Sequence, residues 1–219
     1  VYDTQNGKIV TKGGVVVELD GFGNIFGVIR KNPRVIFPAL IGVAVALLLN
    51  IISFEYSRML KTMNFGWIPF SFEIFKWGVA FTLSGLTTLL MKKNAKESHE
   101  LFSKIFLDVF IFSTFMAFFV VTGFGLYVVP GLLILFFMIY IPIEMVLEQN
   151  TSSLERFKGN LNFILEDAHV IHTFIALLLI IVFTLIPYIG EYIAMFFYIL
   201  WIPNIYISGK KENDEEVEW

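Results

Sequence analysis

The sequence predicts an all-α fold: a polytopic membrane protein of six transmembrane helices with amphipathic helices on its surface. Three observations carry this. Of the 219 residues, 57% are hydrophobic and 16% charged, whereas a soluble domain is about half apolar and about a quarter charged; the mean hydropathy is +0.74. The apolar residues come in blocks of about twenty, the length that crosses a hydrocarbon core of about 30 Å. The basic residues, finally, are shared unequally between the segments that join those blocks.

The blocks are 35–54, 72–91, 102–124, 128–147, 170–187 and 189–207. Between the last two stands IPYIGE, where Pro187 and Gly190 favour a tight reversal. A single helix over 170–207 would be far longer than any bilayer requires. Arg30, Lys31, Arg34, Lys92, Lys93, Lys96, Lys104, Arg156, Lys158, Lys210 and Lys211 fall on one side of these spans, against Arg58, Lys61 and Lys76 on the other. The positive-inside rule then puts both termini in the cytoplasm, as an even number of crossings requires. Tyr56, Trp67, Trp77, Tyr127, Tyr188 and Tyr192 are expected as outer interface anchors, and Trp201 and Tyr206 as inner ones. The chain divides into a cytoplasmic segment 1–30, a transmembrane domain 31–208 and an acidic cytoplasmic tail 209–219. No basic leader with a short apolar stretch and a small-residue cleavage site precedes the first span, which is therefore expected to direct insertion.

Within the first segment, KIVTKGGVVVEL carries β-branched runs around Gly13-Gly14, a hairpin pattern. DGFGNIFGVIR follows, with Asp20 as N-cap and Phe22, Ile25, Phe26 and Ile29 on one helical face. SSLERFKGNLNFI repeats the theme: Leu154, Phe157, Leu161 and Ile164 recur at helical spacing, and Ser152 with Glu155 forms a capping box. Such helices either float in the headgroup layer or pack against the cytoplasmic ends of the bundle.

The run VVPGLLILFFMIYIPIE (128–144) is the most informative stretch. Pro130 opens a helix, where its missing N–H costs nothing. Pro142, near the other end, removes a backbone hydrogen bond and kinks the helix. Glu144 and Glu148 are thereby delivered to the inner surface. Pro130, Gly131, Pro142, Glu148, Ser153, Leu154, Arg156 and Gly159 together resemble the pattern of the glycerophosphoryl diester phosphodiesterase membrane-domain-like families and related multi-pass proteins. The entry RKNPRVIFPALI, through Lys31, Asn32, Pro33 and Pro38, is similar as well. The resemblance implies a six-helix membrane module, often lacking a known activity of its own and at times fused to a soluble phosphodiesterase; the catalytic domain has no counterpart in these residues, so hydrolysis is not carried over.

The absence of cysteine excludes a disulfide framework, a thiolate nucleophile and a Cys-based metal site. No basic surface suited to nucleic acid remains outside the spans. GFGNIFG lacks the strand–helix context of a dinucleotide fingerprint, and no GxxxxGK loop occurs. Asp108 lies six residues into the third span, roughly 9 Å along it, at the level Glu144 reaches from the other direction. The two carboxylates could share a proton or a cation; alternatively Asp108 bonds Lys104 and Glu144 pairs with Arg156. EDAHVIH supplies Glu166, His169 and His172, with the histidines at i and i+3 on one helical face, a spacing that can hold a metal with a third ligand from Asp108, Glu144 or Glu148, although interfacial histidines are commonly plain polar caps. Gly42 with Ala46, and Ser84 with Gly85, are small-residue faces for close helix contact.

These features lead to the expectation of a non-enzymatic module of the cell membrane, without cofactor. Its partners would be membrane lipids and either another membrane protein or a second copy of the chain. The alternative is a proton- or cation-coupled transport component using Asp108 and Glu144.

Overall fold

A computed structural model describes residues 2–3, 8–10, 16–18, 20–59, 67–93, 95–148, 152–165 and 167–216. Three short strands, β1 (Tyr2–Asp3), β2 (Lys8–Val10) and β3 (Val16–Glu18), form an antiparallel sheet in the order β1-β2-β3. Ile9 stands opposite Val17, so the β-branched runs pair as a hairpin; its Gly13-Gly14 turn lies outside the described residues. After this sheet the described residues are almost all helical. The helices are α1 (Asp20–Lys31), α2 (Ile36–Met59), α3 (Trp67–Lys92), α4 (Ala95–Leu126), α5 (Val128–Met138), α6 (Ile141–Leu147), α7 (Ser153–Leu165), α8 (Asp167–Thr184) and α9 (Gly190–Glu216).

Among the described residues, five segments are long and apolar enough to cross a membrane: α2 with its preceding 3-10 turn, α3, α4, the α5–α6 pair and α9. A sixth is reached when α7 and α8, bent by 92° at their junction, are taken together. This is the architecture of an integral membrane protein. Short connections make successive spans antiparallel, so the α2–α3, α4–α5 and α8–α9 connections share one end, called the tip. The opposite end, with α1 and α7, is called the base.

The bundle is built on α3 and α9, its most buried spans, while α2 and α4 lie outside with their apolar faces exposed. Small residues allow the close contacts. Gly42 and Ala46 bring α2 onto α9, where a methyl at Gly42 would strike Ile199. Gly85 brings α3 onto Val146 of α6. The hydroxyls of Thr82, Thr87 and Thr88 donate back to carbonyls one turn earlier in α3, so these buried groups are satisfied within their own helix. At the base, the Asn32 amide donates to the Leu90 carbonyl over 2.7 Å and ties the entry of α2 to the end of α3.

The α8–α9 reversal is as tight as Pro187 and Gly190 suggest. Tyr188 holds φ at 66°, a left-handed conformation that a bulky residue rarely adopts, and Gly190 donates to the Ile186 carbonyl over 3.0 Å. A side chain at Gly190 would collide with the Phe183 carbonyl, which is why glycine stands there.

Two expectations change. Helix α1 packs on α9 through Ile25, which is 2% exposed, with Val28 and Ile29 beside it, while Phe26 points away at 73%. Helix α7 turns Asn160, Phe163 and Ile164 into the bundle and leaves Phe157 exposed, so its buried face is rotated from the apolar stripe. The reason is Asn160, whose amide is needed inside, as the next subsection shows.

Candidate functional site

Two clusters of buried polar groups stand at opposite ends of the bundle. The base cluster begins with Pro142. Its ring cannot donate to the carbonyl one turn back and would clash with it, so α5 stops at Met138 and the helix resumes as α6 with Pro142 in its first turn. The interruption exposes backbone groups, and Asn160 of α7 repairs it: its Oδ1 accepts from the Tyr140 N–H over 3.2 Å and its Nδ2 donates to the Phe137 carbonyl. One turn further, Glu144 is 2% exposed and accepts a hydrogen bond from the Tyr206 hydroxyl of α9 over 3.1 Å. The Tyr206 ring packs on Tyr140 and Phe163, with centroids 5.3 Å and 4.6 Å away. Tyr140 in turn shares a 2.7 Å hydrogen bond with Thr173 of α8. Four helices are thus joined around one carboxylate.

The tip cluster is ionic. Lys76 of α3 has a fully buried side chain whose ammonium reaches Glu73 at 2.7 Å, Glu191 of α9, and the Asn50 carbonyl oxygen of α2 at 2.8 Å. The Asn50 amide donates to the Tyr192 hydroxyl over 2.8 Å and to Glu191 over 3.2 Å. An ammonium has three N–H donors, and three acceptors surround this one. Beside the cluster lies a cavity of about 370 Å³ between α3, α4, α5 and α8, lined by Glu73, Trp77, Val121, Phe124, Ile180 and Thr184 among others.

The structure separates the residues predicted to act together. Asp108 and Lys104 lie on the exposed face of α4, while Glu144 is buried. The two carboxylates therefore stand in different surroundings, and Glu144 has the Tyr206 hydroxyl as a partner. Arg156 is half-buried and lines a separate cavity of about 210 Å³ with Met145 and Phe157.

Of the metal candidates, Glu166 and the side chain of His169 lie outside the described residues, and His172 is half-buried on α8. Among the described residues no group of three His, Asp or Glu side chains is placed to hold a metal ion.

The motif positions have structural reasons. Pro130 sits in the first turn of α5, and Gly131 lets α5 approach Gly123 and Phe124 of α4, where a Cβ would come within 2.6 Å of the Phe124 nitrogen. Glu148 caps α6, donating its N–H to the Glu144 carbonyl over 2.8 Å. Ser153 opens α7, its side chain outside the described residues. Gly159 borders Glu144, with a Cβ there 3.3 Å from the carboxylate. The capping box closes: Ser152 N–H donates to Glu155 over 2.8 Å and the Glu155 N–H to the Ser152 hydroxyl over 3.3 Å. The bond from the Ser152 N–H holds the Glu155 carboxyl below its usual range.

Sequence reasoning missed Asn50, Glu73, Lys76 and Glu191 at the tip, and Tyr140, Asn160, Thr173 and Tyr206 at the base. The charge bias counts Lys76 among the outer cations although it falls within the second block, 72–91; α3 begins at Trp67 and carries Lys76 into the bundle. An acid and a base three residues apart in an otherwise apolar helix was the signal available. Tyr206, expected as an interface anchor, is fully buried. Comparison with protein-family models, with curated proteins and with solved structures finds no match for this chain.

Proposed function

We propose that this chain is a non-enzymatic, six-span module of the cell membrane that serves as an accessory or lipid-organising subunit beside another membrane protein. In this reading α8 is the fifth crossing, both termini are cytoplasmic, and α1 and α7 lie along the inner surface. The observation that carries it is the division of the bundle into an internally tied centre and an apolar outside. The centre is knotted through Glu144–Tyr206 and Lys76–Glu191. The outer faces of α2 and α4 present Leu48, Ile51, Phe54, Ile111, Phe115 and Phe118, a surface for lipid tails or for another helix. The 92° bend between α7 and α8 supports a surface helix feeding a crossing one, and the Pro130, Pro142 and Gly159 pattern accords with the membrane-module resemblance.

Native mass spectrometry of the protein extracted gently from its own membrane tests the role. A stoichiometric protein partner or a defined set of retained lipids is the expected result; a bare, lipid-free chain would sink the proposal. Topology is tested separately, because the sequence holds no cysteine and single cysteines can be introduced against a silent background. Tyr188→Cys should react with an impermeant maleimide in intact cells, and Lys158→Cys only after permeabilisation. The reverse pattern would overturn the orientation.

A second reading, a cation- or proton-coupled transport component, is favoured by the tip cluster beside its cavity rather than by Asp108. Flux in proteoliposomes that is abolished by Glu73→Gln and preserved in Asp108→Asn supports it; no flux above empty vesicles counts against it.

A further inference from the structure

We infer that the tip cavity is a binding site for an organic ammonium cation with an apolar body, held by Glu73 against the rings of Trp77 and Phe124. The first argument is charge. With both carboxylates ionised, Glu73 and Glu191 set two negative charges against the one positive charge of Lys76, a surplus that a proton or a bound cation must settle in a region of low dielectric. Lys76 has no donor to spare, since its ammonium already faces Glu73, Glu191 and Asn50. The other ion pair described at this end, Glu55 with Arg58, is self-balancing and solvent-facing on α2. The walls contributed by α4, α5 and α8 bring apolar side chains and Thr184, and no charge.

The second argument is position. Of the two carboxylates it is Glu73 that lines the cavity, and its side chain is 43% exposed while that of Lys76 is fully buried. The negative charge is therefore presented to the cavity and its counter-ion is withheld behind it. The third argument is the lining. A volume of about 370 Å³ falls within the range of about 300–1,000 Å³ typical of small-molecule sites. A carboxylate beside an indole and a phenyl ring is the chemistry that attracts ammonium groups, because ring faces are electron-rich. A small inorganic cation would find only the Glu73 carboxylate and the Thr184 hydroxyl to replace its water among these apolar walls. An alkylated ammonium sheds little hydration and fills the space with carbon.

The test uses the full chain in dodecyl maltoside, an uncharged detergent, and equilibrium dialysis of labelled hexyltrimethylammonium. Saturable binding of one equivalent is expected, weakened about tenfold or more in Glu73→Gln and unchanged in Glu55→Gln. Val121→Trp, which fills the cavity and leaves Glu73 in place, should abolish it, and this variant decides the matter if Glu73→Gln fails to fold. Undiminished binding in both variants, or equal displacement by uncharged 1-hexanol, would overturn the assignment. Displacement by dihexanoylphosphatidylcholine would identify the ammonium as that of a lipid headgroup; binding that resists it would identify a free organic cation.

Discussion

The base cluster buries its carboxylate almost completely, whereas the tip cluster buries only its lysine and leaves both carboxylates partly exposed. At the base, one carboxylate accepts from an aromatic hydroxyl, and Asn160 beside it mends a break in the backbone. At the tip, Lys76 of α3 pairs with Glu73 of its own helix and with Glu191 of α9, which leaves one carboxylate in excess, and Asn50 from α2 bridges Lys76 and Glu191. The contrast separates two tasks. The base network is sealed by rings and defines a shape, namely how α6, α7, α8 and α9 meet. The tip network opens on a cavity and sets a charge.

If that contrast holds, the largest effect belongs to the ionic end. Lys76→Met leaves Glu73 and Glu191 facing each other without a counter-ion, and breaking a buried pair by removing one partner costs about 3–5 kcal/mol. Thermal unfolding in detergent should show a large loss, with part of it recovered in the double variant Lys76→Met/Glu191→Gln, which restores the original net charge. A double variant no better than the single one would mean that Lys76 acts by packing alone. At the base, Asn160→Ala is expected to come second. It leaves the Tyr140 N–H and the Phe137 carbonyl without their amide, at about 1–3 kcal/mol for each group. Conservative Asn160→Asp should not rescue it, because a carboxylate cannot donate to Phe137. Rescue would place the value of Asn160 in its volume.

How much of this could be read in advance follows from the distance over which each interaction acts. Pro142 breaks its own helix and Ser152 caps its own helix; both are effects of residues on their immediate neighbours, and both were legible. The spans were legible for the same reason, since hydropathy is a local property. The partner that Pro142 demands is not local: Asn160 lies 20 residues on from Tyr140 and belongs to what reads as an amphipathic surface helix, so its inward turn contradicts the apolar stripe of its own segment. Lys76 is harder still. A lysine in an apolar segment reads as the end of a span unless its counter-ions are known, and Glu191 lies 115 residues away. Asp108 drew attention by its depth in the third span, yet depth along a helix says nothing about which side of it a residue occupies.

Two smaller effects probe the start and middle of α7 and sharpen the claim that this helix is part of the base network. Glu155 is exposed, and its carboxyl is held below the usual range by the Ser152 N–H. A lowered folded value means that the cap contributes above the ordinary carboxylate range, near pH 4.3, and is lost as pH falls through the folded value. Amide protection, taken relative to the intrinsic exchange rate at each pH, should therefore fall at the start of α7 under acid while that of α9 holds. Equal loss of protection in both helices would point to opening of the whole bundle instead.

Gly159→Ala should have the smallest effect, and its smallness is the informative part. In a helix interior alanine is favoured over glycine by about 1 kcal/mol, so an isolated α7 would gain. In the bundle the new methyl would stand 3.3 Å from the Glu144 Oε1, the same atom that accepts from Tyr206. The carboxylate cannot swing aside without loosening that bond, so crowding offsets the gain and the net change should lie within about 0.5 kcal/mol of zero. The same substitution in a Glu144→Ala background meets no carboxylate, and there the gain of about 1 kcal/mol should reappear. Non-additivity of that size between two residues from different helices is what contact predicts. Strict additivity would mean that α7 rests on the bundle without engaging Glu144, and the base would then be no more than a place where surfaces meet.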